Sequence, residues 1–249
     1  MNQDERRAGI LERAAREGTV RIGALAEALG VSLETVRRDI RPLVESGHLA
    51  KRHGSVSLAE APFERRLRER AAEKRRIGRK VAQMIEDGDS LMLDTGTTTS
   101  LLARELLGKR ALTVVTNSTD IARTLGRVAG NRIFLAGGEV FGDNGATFGA
   151  AALDFVSGFK VRYAIVSIAA VDAEGALLDH QPREAEFARR VLACGRRRLV
   201  VTDHSKFGRG ELARVAELAE IDLLVTDRAP PAGYAALFAA AGTELAVAD

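Results

Sequence analysis

The stretch SLMLDTGTTTS, residues 90–100, predicts a change from a buried strand to a helix. Its apolar run ends on Asp94, and Gly96 with three threonines then leads into the helical pattern SLLARELL. A short apolar run bounded by turn residues is typical of a strand that is buried on both faces. A strand followed at once by a helix is the repeating unit of an α/β fold.

Five more apolar runs follow, and amphipathic stretches such as REAEFARRVLA lie between most of them. This alternation predicts a mainly parallel sheet with both faces covered, and ligands of such sheets bind outside the carboxyl ends of the strands. The runs are ALTVVT (111–116), RIFLA (132–136), YAIVSIA (163–169), RRLVVTD (197–203) and DLLVTD (222–227).

The composition is that of an ordinary globular protein, with 46% hydrophobic and 29% charged residues in a chain of 249. No run of apolar residues is long enough to cross a membrane, and the N-terminus lacks the apolar segment of a secretory signal. The chain has one cysteine, Cys194, which excludes an internal disulfide. We therefore expect a cytoplasmic protein with no metal and no cofactor.

The charge is distributed unevenly along the chain. Residues 1–80 carry a net charge of +7, whereas residues 81–249 carry −4. A basic front segment suggests an anionic partner for that segment, and nucleic acid is the obvious polyanion. The alternative is a solvated helix of mixed charge, because residues 64–80 contain both signs.

The front segment has the pattern of three short helices, at about 4–16, 22–30 and 33–47. Ser32 is a suitable N-cap for the third helix, whose apolar residues recur on one face. Pro42 lies inside that helix, and we expect a kink or an early loss of regularity there.

Thr35 and the arginines of the third helix lie off its buried face, which is the arrangement of a helix-turn-helix whose second helix enters the major groove. Residues 48–58 then predict two short strands, a wing that touches DNA backbone or minor groove. A helical hairpin that only oligomerises is the alternative. The predicted DNA-binding residues are Ser32, Thr35, Arg37, Arg38, Arg41, Lys51, Arg52, His53 and Gly54.

The turn at 94–99 has the features of an anion site. Gly96 permits close approach of a ligand to the backbone, and unpaired amides at the start of a helix attract phosphate. Asp94 beside such a site suits the hydroxyl groups of a sugar or polyol. The alternative is a strand-to-helix turn that is capped by threonine and binds nothing.

The segments SLETVRRDI and KRHGSVSL resemble the winged helix-turn-helix of the DeoR family of bacterial transcriptional regulators. The segments IGRKVAQMI, LDTGTTT, VVTNS, LAGGE, LDF and DHSKFGR follow in the order of that family's sensor domain, so the resemblance covers about residues 4–240. DHSKFGR followed by DRAPP is similar to the glycerol-3-phosphate regulon repressor branch. Arg21 departs from the family pattern, which often has Ser or Thr as the cap there, and Ala14 replaces a larger apolar residue.

The resemblance implies an N-terminal winged helix-turn-helix domain (1–58), a linker (59–76) and a larger α/β sensor domain (77–249) that resembles ribose-5-phosphate isomerase. It also implies a homodimeric or homotetrameric repressor that binds operator DNA under the control of a phosphorylated sugar or polyol. The effector-binding residues carried over from the family are Asp94, Gly96, Thr97, Thr98, Thr99, Asn117, Ser118, Gly137, Gly138, Asp172, Glu184 and Lys206; Glu186 is the alternative to Glu184.

We expect no catalysis, because the sequence has no serine elbow, zinc-binding helix or P-loop. A sugar-phosphate isomerase that uses the C-terminal domain is the alternative, since Asp94, Asp172 and Lys206 would suit proton transfer. An architectural DNA binder without a sensor would use only residues 1–57.

Overall fold

A computed structural model describes residues 2–46, 48–52, 54–58 and 61–248, and only the main chain of Ala15, Arg52 and Leu58. The chain forms two compact units. The first, the head, is Met1–Ala61 with Arg209–Leu212, and the second, the α/β unit, is Pro62–Gly208 with Ala213–Asp249.

The head is a winged helix-turn-helix, as predicted. Three helices pack on a small antiparallel sheet with the strand order β1-β3-β2. Fully buried side chains of the helices and the sheet, among them Ile10, Leu25, Val36 and Val56, form one core. The elements are α1 (Gln3–Glu17), β1 (Val20–Arg21), α2 (Ile22–Leu29), α3 (Leu33–Glu45), β2 (Leu49–Arg52) and β3 (Ser55–Leu58).

The helix ends of the head follow from local sequence. The side chain of Ser32 accepts a hydrogen bond from the amide of Thr35 at 3.1 Å and so caps α3, as predicted. Arg21 precedes α2 and makes no capping bond, because its side chain has no acceptor. The amide of Ile22, the first residue of α2, instead donates a hydrogen bond to the carbonyl oxygen of Gly54 in the wing at 2.9 Å.

Of the two outcomes expected at Pro42, the early loss of regularity does not occur, and the kink stays a prediction. Helix α3 continues to Glu45, and the carbonyl of Pro42 accepts a hydrogen bond from the amide of Ser46 at 2.9 Å. A proline removes one amide from the helix, but the buried residues Val36 and Ile40 hold α3 against the core of the head.

The α/β unit contains a seven-stranded sheet in which every neighbouring pair is parallel. Its first half consists of α4 (Phe63–Arg68), α5 (Ala71–Ala82), β4 (Ser90–Leu93), α6 (Thr97–Glu105), β5 (Thr113–Thr116), α7 (Thr119–Leu125), β6 (Arg132–Leu135), β7 (Val140–Phe141), β8 (Ala146–Thr147) and α8 (Ala150–Ser157). Its second half consists of β9 (Val161–Ser167), β10 (Ala170–Val171), β11 (Ala176–Asp179), α9 (Pro182–Cys194), β12 (Gly195–Val201), β13 (Ala213–Glu217), β14 (Leu223–Thr226), α10 (Tyr234–Ala241) and β15 (Glu244–Val247).

The strand order is β15-β14-β12-β9-β4-β5-β6. The chain starts in the middle at β4, adds β5 and β6 on one side, and then returns to build β9, β12, β14 and β15 on the other. The direction of winding therefore reverses between β4 and β9. In open parallel sheets, ligands bind at such a reversal, outside the carboxyl ends of the strands.

Both faces of the sheet are covered, as predicted. Along β9, Ala164 and Val166 face a core shared with α8, α9 and α10, whereas Tyr163 and Ile165 face a core shared with α5, α6 and α7. This alternation within one apolar strand is expected for a sheet that is buried on both sides.

All six predicted strands are present, with ends shifted by up to two residues. Edge strand β15, the antiparallel sheet β10-β11-β13 and the hairpin β7-β8 were not predicted from the sequence. Most of the segment expected to be a linker, 59–76, is helical, and Phe63 and Leu67 of α4 pack against Leu101 of α6. In the part of the chain that the structure describes, no helix is long and apolar enough to span a membrane.

Candidate functional site

The exposed face of α3 carries the arginines predicted to read DNA. Arg37 and Arg38 are exposed and make no side-chain hydrogen bond or ion pair with the residues that the structure describes. Arg41 is exposed as well, and its Nε lies 2.9 Å from a carboxylate oxygen of Glu45. Two arginines are therefore directly available to base edges or phosphates.

The remaining predicted DNA contacts lie at the start of α3 and in the wing. Thr35 is half-buried, with its hydroxyl 2.9 Å from that of Ser32. Lys51 and Gly54 are exposed, and Gly54 has a positive φ of 81° that forms the turn between β2 and β3. The side chain of Arg52 and the whole of His53 lie outside the described residues.

Asp39, on the opposite face of α3, was missed by the sequence analysis. Its side chain is fully buried, and it accepts hydrogen bonds from Arg6 Nε at 2.6 Å and from Gln3 Nε2 at 3.0 Å. Burial alone would raise the pKa of Asp39, but the bonds from Arg6 and Gln3 hold it below its usual value. This pairing fixes α3 on α1 and so orients the arginines on its outer face.

In the α/β unit, Asp94 and Ser167 end the two strands between which the winding reverses. The amide of Ser167 donates to the two carboxylate oxygens of Asp94 at 3.1 and 3.2 Å. The predicted residue Asp94 therefore lies at the switch point of the sheet, with its carboxylate held by the neighbouring strand.

Position 96 requires glycine because there is no room for a Cβ atom there, and not because of the backbone angles. Its φ is 174°, which any residue adopts. A Cβ at this position would lie 1.9 Å from the hydroxyl oxygen of Ser167 and 3.1 Å from Oγ1 of Thr99. The turn is thus packed against the end of β9, and Ser167 is a contact residue that sequence reasoning did not find.

Helix α6 starts at Thr97, and the first amides of a helix have no acceptor within it. Gly96, the residue before it, has no side chain to cap them. Thr97, Thr98 and Thr99 are all buried, and the hydroxyl of Thr99 donates to the carbonyl of Asp94 at 3.0 Å. The turn is therefore a rigid set of amides and hydroxyls, with its dipole favourable to an anion.

Asp94 is surrounded by other acids. Burial, with the nearby negative charges of Asp179 and Glu184, raises the pKa of Asp94 well above its usual value. Glu184 lies in the first turn of α9, whereas Glu186 is exposed. Of the two candidates on α9, the structure brings Glu184 to Asp94, and it adds Asp179 at the end of β11, which the sequence analysis did not select.

The second predicted loop is joined to the first through Asn117. Its side-chain oxygen accepts from the amide of Thr95 at 3.0 Å, and its side-chain nitrogen donates to the carbonyl of Thr147 at 2.9 Å. Ser118 caps α7 by accepting from the amide of Ile121 at 3.3 Å. Asn117 thus connects the turn before α6 to the β7-β8 hairpin, whereas the side chain of Ser118 is used as the N-cap of α7.

The third predicted loop lies beside that hairpin. Gly138 has a positive φ of 136°, and a Cβ there would lie 3.4 Å from the carbonyl oxygen of Phe148. Gly137 is exposed and has no neighbour within 4 Å of where a Cβ would stand. Of the two glycines, Gly138 is the one that the local backbone requires.

Asp172 has a different environment from the other predicted site residues. It lies in the turn between β10 and β11, where its carboxylate accepts from the amides of Glu174 at 3.1 Å and Ala176 at 2.8 Å. Tyr234 of α10 donates to its carbonyl at 2.8 Å. These contacts close the turn of the small antiparallel sheet.

The loop after β12 contains Lys206 in a short 3₁₀ helix, His204–Lys206. The loop is tied to the end of β14, because Asp227 accepts from the amide of His204 at 2.7 Å and lies 2.8 Å from its Nδ1. Asp203, also at this rim, accepts from the amide and the hydroxyl of Ser205. Burial alone would raise the pKa of Asp203, but Ser205 and the positive charges of Lys206 and Arg70 hold it below its usual value.

Each of the two units matches a known protein family. Residues 6–61 match the family described as DeoR-like helix-turn-helix domain, and residues 69–228 match the one described as DeoR C terminal sensor domain. The chain belongs to the DeoR family.

Several curated relatives that are named as repressors match along most of both chains. The glycerol-3-phosphate regulon repressor of Escherichia coli (strain K12) is 36% identical over 93% of this chain and 93% of its own. The transcriptional repressor AccR of Agrobacterium fabrum is 35% identical over 90% and 89%, and the repressor GlcR of Bacillus subtilis is 30% identical over 100% and 98%. These names are names of repressors and not of enzymes.

Solved structures match less closely. Ribose 5 phosphate isomerase A from Neisseria gonorrhoeae is 16% identical, with a TM-score of 0.40 over 54% of this chain and 52% of its own. eIF2B beta from Chaetomium thermophilum is 14% identical, with a TM-score of 0.44 over 77% and 54%. At these scores the likeness adds nothing to the α/β fold that the strand order establishes.

Proposed function

We propose that this DeoR-family chain represses transcription by binding operator DNA through its head, and that a phosphorylated sugar or polyol bound at the rim of its sheet releases it. The observation that carries the proposal is the union, in one chain, of the family's helix-turn-helix and its sensor domain. A phosphosugar pocket that is joined to a DNA-reading head needs only to bind, so the proposal contains no catalytic step.

The proposed effector pocket is the switch point of the sheet. The amides at the start of α6 supply an anion-binding turn, and Asp94 and Glu184 supply carboxyl groups for hydroxyls of the effector. Asn117 holds the neighbouring loop to that turn. Glycerol 3-phosphate is the first candidate, because a curated relative is named as the repressor of its regulon.

The proposed DNA contacts are made by a homo-oligomer. Two heads related by a two-fold axis read half-sites about one helical turn, ~34 Å, apart on the DNA. The effector of this proposal favours an arrangement of the heads that does not match the half-sites. It binds more tightly to that arrangement, so effector and operator weaken each other's binding.

The test is a fluorescence-anisotropy titration of the full chain on DNA from upstream of its own gene and its neighbours. We expect binding that is reversed by glycerol 3-phosphate or by another phosphate in a panel of sugar phosphates. If no compound in the panel changes the binding, the sensor part of the proposal fails.

The head is tested by the double variant Arg37→Ala, Arg38→Ala. We expect operator binding to be lost while effector binding remains, because both arginines are exposed on α3. If both contact phosphates, the slope of log K against log salt should fall by about two. The matched control is Arg123→Ala, Arg127→Ala, which removes the same charge from exposed positions of the α/β unit. A normal footprint for the first variant would refute the groove assignment.

A further inference from the structure

Arg183, in the first turn of α9, is a half-buried arginine without an acceptor. Its guanidinium makes no hydrogen bond or ion pair with any residue that the structure describes, and its Nε is shielded from solvent. Arginine is rarely buried without a partner, and buried polar atoms are nearly always satisfied. The burial of this unpaired group therefore indicates a missing partner, and the natural partner of a guanidinium is an anion.

Two aromatic rings hold the guanidinium of Arg183 in place. Its Cζ lies 4.4 Å from the ring centroid of Phe141 and 5.7 Å from that of Phe148. Phe148 in turn packs edge-on against Phe187, one turn after Arg183 on α9, with 6.0 Å between the centroids. An aromatic ring attracts the positive charge, but it does not replace the oxygen acceptors that the five N–H groups prefer. The rings therefore position the group and leave its donors unused.

Arg183 lies beside the proposed effector pocket. The next residue, Glu184, is close enough to Asp94 for its charge to raise the pKa of that carboxyl group. Phe141, under the guanidinium, belongs to the β7-β8 hairpin, which Asn117 connects to the turn before α6. Two separate sets of contacts thus bring Arg183 to the switch point of the sheet. The turn of α6 and Arg183 approach it from different elements.

The carboxyl groups of this region make a nearby cation useful to an anionic ligand. Asp94 is close to Asp179 and Glu184, and such a group of acids disfavours an anion unless a positive charge offsets them. Arg183 adjoins Glu184 and supplies that charge. The start of α9, where Gln181 makes no side-chain capping bond, adds a favourable helix dipole. This end of the pocket is therefore suited to an oxyanion.

We infer that Arg183 binds a second oxyanion of the effector, a carboxylate or a second phosphate, while the first amides of α6 bind the phosphoryl group. This inference rests on the proposed function and deepens it, because it specifies an effector that carries negative charge at both ends. Hydroxyl groups of the same compound contact Asp94 and Glu184. A planar guanidinium suits either anion, since it donates two parallel N–H bonds to a carboxylate or a phosphate.

The experiment compares pairs of compounds that differ at one end. Glycerol 3-phosphate and 3-phosphoglycerate have carbon chains of equal length, and only the second compound carries a carboxylate. Glucose 6-phosphate and 6-phosphogluconate make the same comparison in a longer chain. Fructose 6-phosphate and fructose 1,6-bisphosphate differ by a second phosphate. Each compound is titrated calorimetrically into the full chain at pH 7, and its release of the chain from operator DNA is measured by fluorescence anisotropy.

The proteins compared are the wild type, Arg183→Met, Arg183→Lys and Arg190→Met. Methionine keeps an apolar contact with the aromatic rings, so the first variant should remain folded. Lysine keeps the charge but lacks the planar group that binds an oxyanion through two bonds. Arg190 is exposed two turns further along α9, and its substitution removes the same charge. Circular dichroism and operator binding establish that each variant is folded.

We expect the wild type to bind the doubly anionic member of at least one pair about tenfold or more tightly than its partner, as a charge-assisted hydrogen bond predicts. A preference in the glycerol or glucose pair identifies a carboxylate, and one in the fructose pair a second phosphate. Arg183→Met should bind both members of that pair alike, and Arg183→Lys should keep a smaller preference. Arg190→Met should match the wild type.

Two results would overturn the inference and leave the proposed function intact. In the first, the wild type binds a singly anionic phosphate and is released by it from DNA, with no preference for the doubly anionic member of any pair. In the second, Arg183→Met keeps the preference of the wild type. If no phosphate compound binds the wild type or releases it from DNA, the proposed function itself fails, and the inference fails with it.

Discussion

Replacing Gly96 by alanine tests the geometry of the switch point directly. The added Cβ would lie 1.9 Å from Oγ of Ser167 and 3.1 Å from its Cβ. Turning the Ser167 side chain to another rotamer removes the first contact, but the second still needs a shift of a few tenths of an ångström. The two strand ends between which Asp94 is held must therefore move apart.

The expected change in the free energy of unfolding of Gly96→Ala follows from these contacts. Overpacking of this kind destabilises by about 1–3 kcal/mol. The loss of backbone freedom in the unfolded chain offsets about 0.4–1 kcal/mol, because φ at Gly96 is compatible with alanine. We expect a net loss of about 1–2 kcal/mol, and weaker effector binding because the Asp94–Ser167 contact is disturbed.

The assay is urea unfolding followed by circular dichroism, with effector binding measured by calorimetry. Adding Ser167→Ala to Gly96→Ala removes the 1.9 Å contact and should recover about half of the loss. Gly108→Ala is the matched control, since nothing lies within 4 Å of its Cβ position. A Gly96→Ala variant as stable as the control, or a double variant with no recovery, would refute the packing argument.

Three further predictions concern titratable groups. Because the pKa of Asp94 is raised in the folded protein, its contribution to the free energy of unfolding is complete below the ordinary value of 3.8 and is lost as pH rises through the native pKa. In melting curves between pH 4 and 8, Asp94→Asn should therefore become more stable than the wild type as pH increases. The same variant should lose effector affinity. The lowered pKa of Asp39 has the opposite effect on stability, because its contribution is present above the ordinary pKa and is lost in acid. Asp39→Asn should therefore be less stable than the wild type above pH 4, and it should weaken operator binding without changing effector binding. Equal operator affinity would contradict the role of the Asp39–Arg6 bond in orienting α3. Cys194 is buried, and burial raises the pKa of its thiol, so iodoacetamide should label it only after unfolding; rapid labelling of the native chain at pH 7 would contradict its burial.

Much of the candidate site was predictable because its signals are local. Gly96 and the three threonines stand together in sequence, and helix geometry alone makes the start of α6 a candidate anion-binding turn. The arginines of α3 were predicted for the same reason, since a helical period of 3.6 residues separates an exposed face from a buried one. The missed edge strand β15 is short and only half-buried, which leaves little pattern to recognise.

Local sequence patterns are sufficient to predict the parallel sheet, the winged helix-turn-helix, the exposed face of α3 and the turn at Gly96, because each pattern spans no more than one helix or strand. Which distant side chains meet depends on the tertiary structure. Asp39 pairs with Arg6 across 33 positions, and Ser167 reaches Asp94 across 73. Lys74 lies in a stretch of mixed charge that suggests a solvated helix, and its burial becomes visible only when α5 is packed on α6 beside the loop after β12. Local periodicity specifies the face of a helix, but the environment of a charge depends on everything that folds around it.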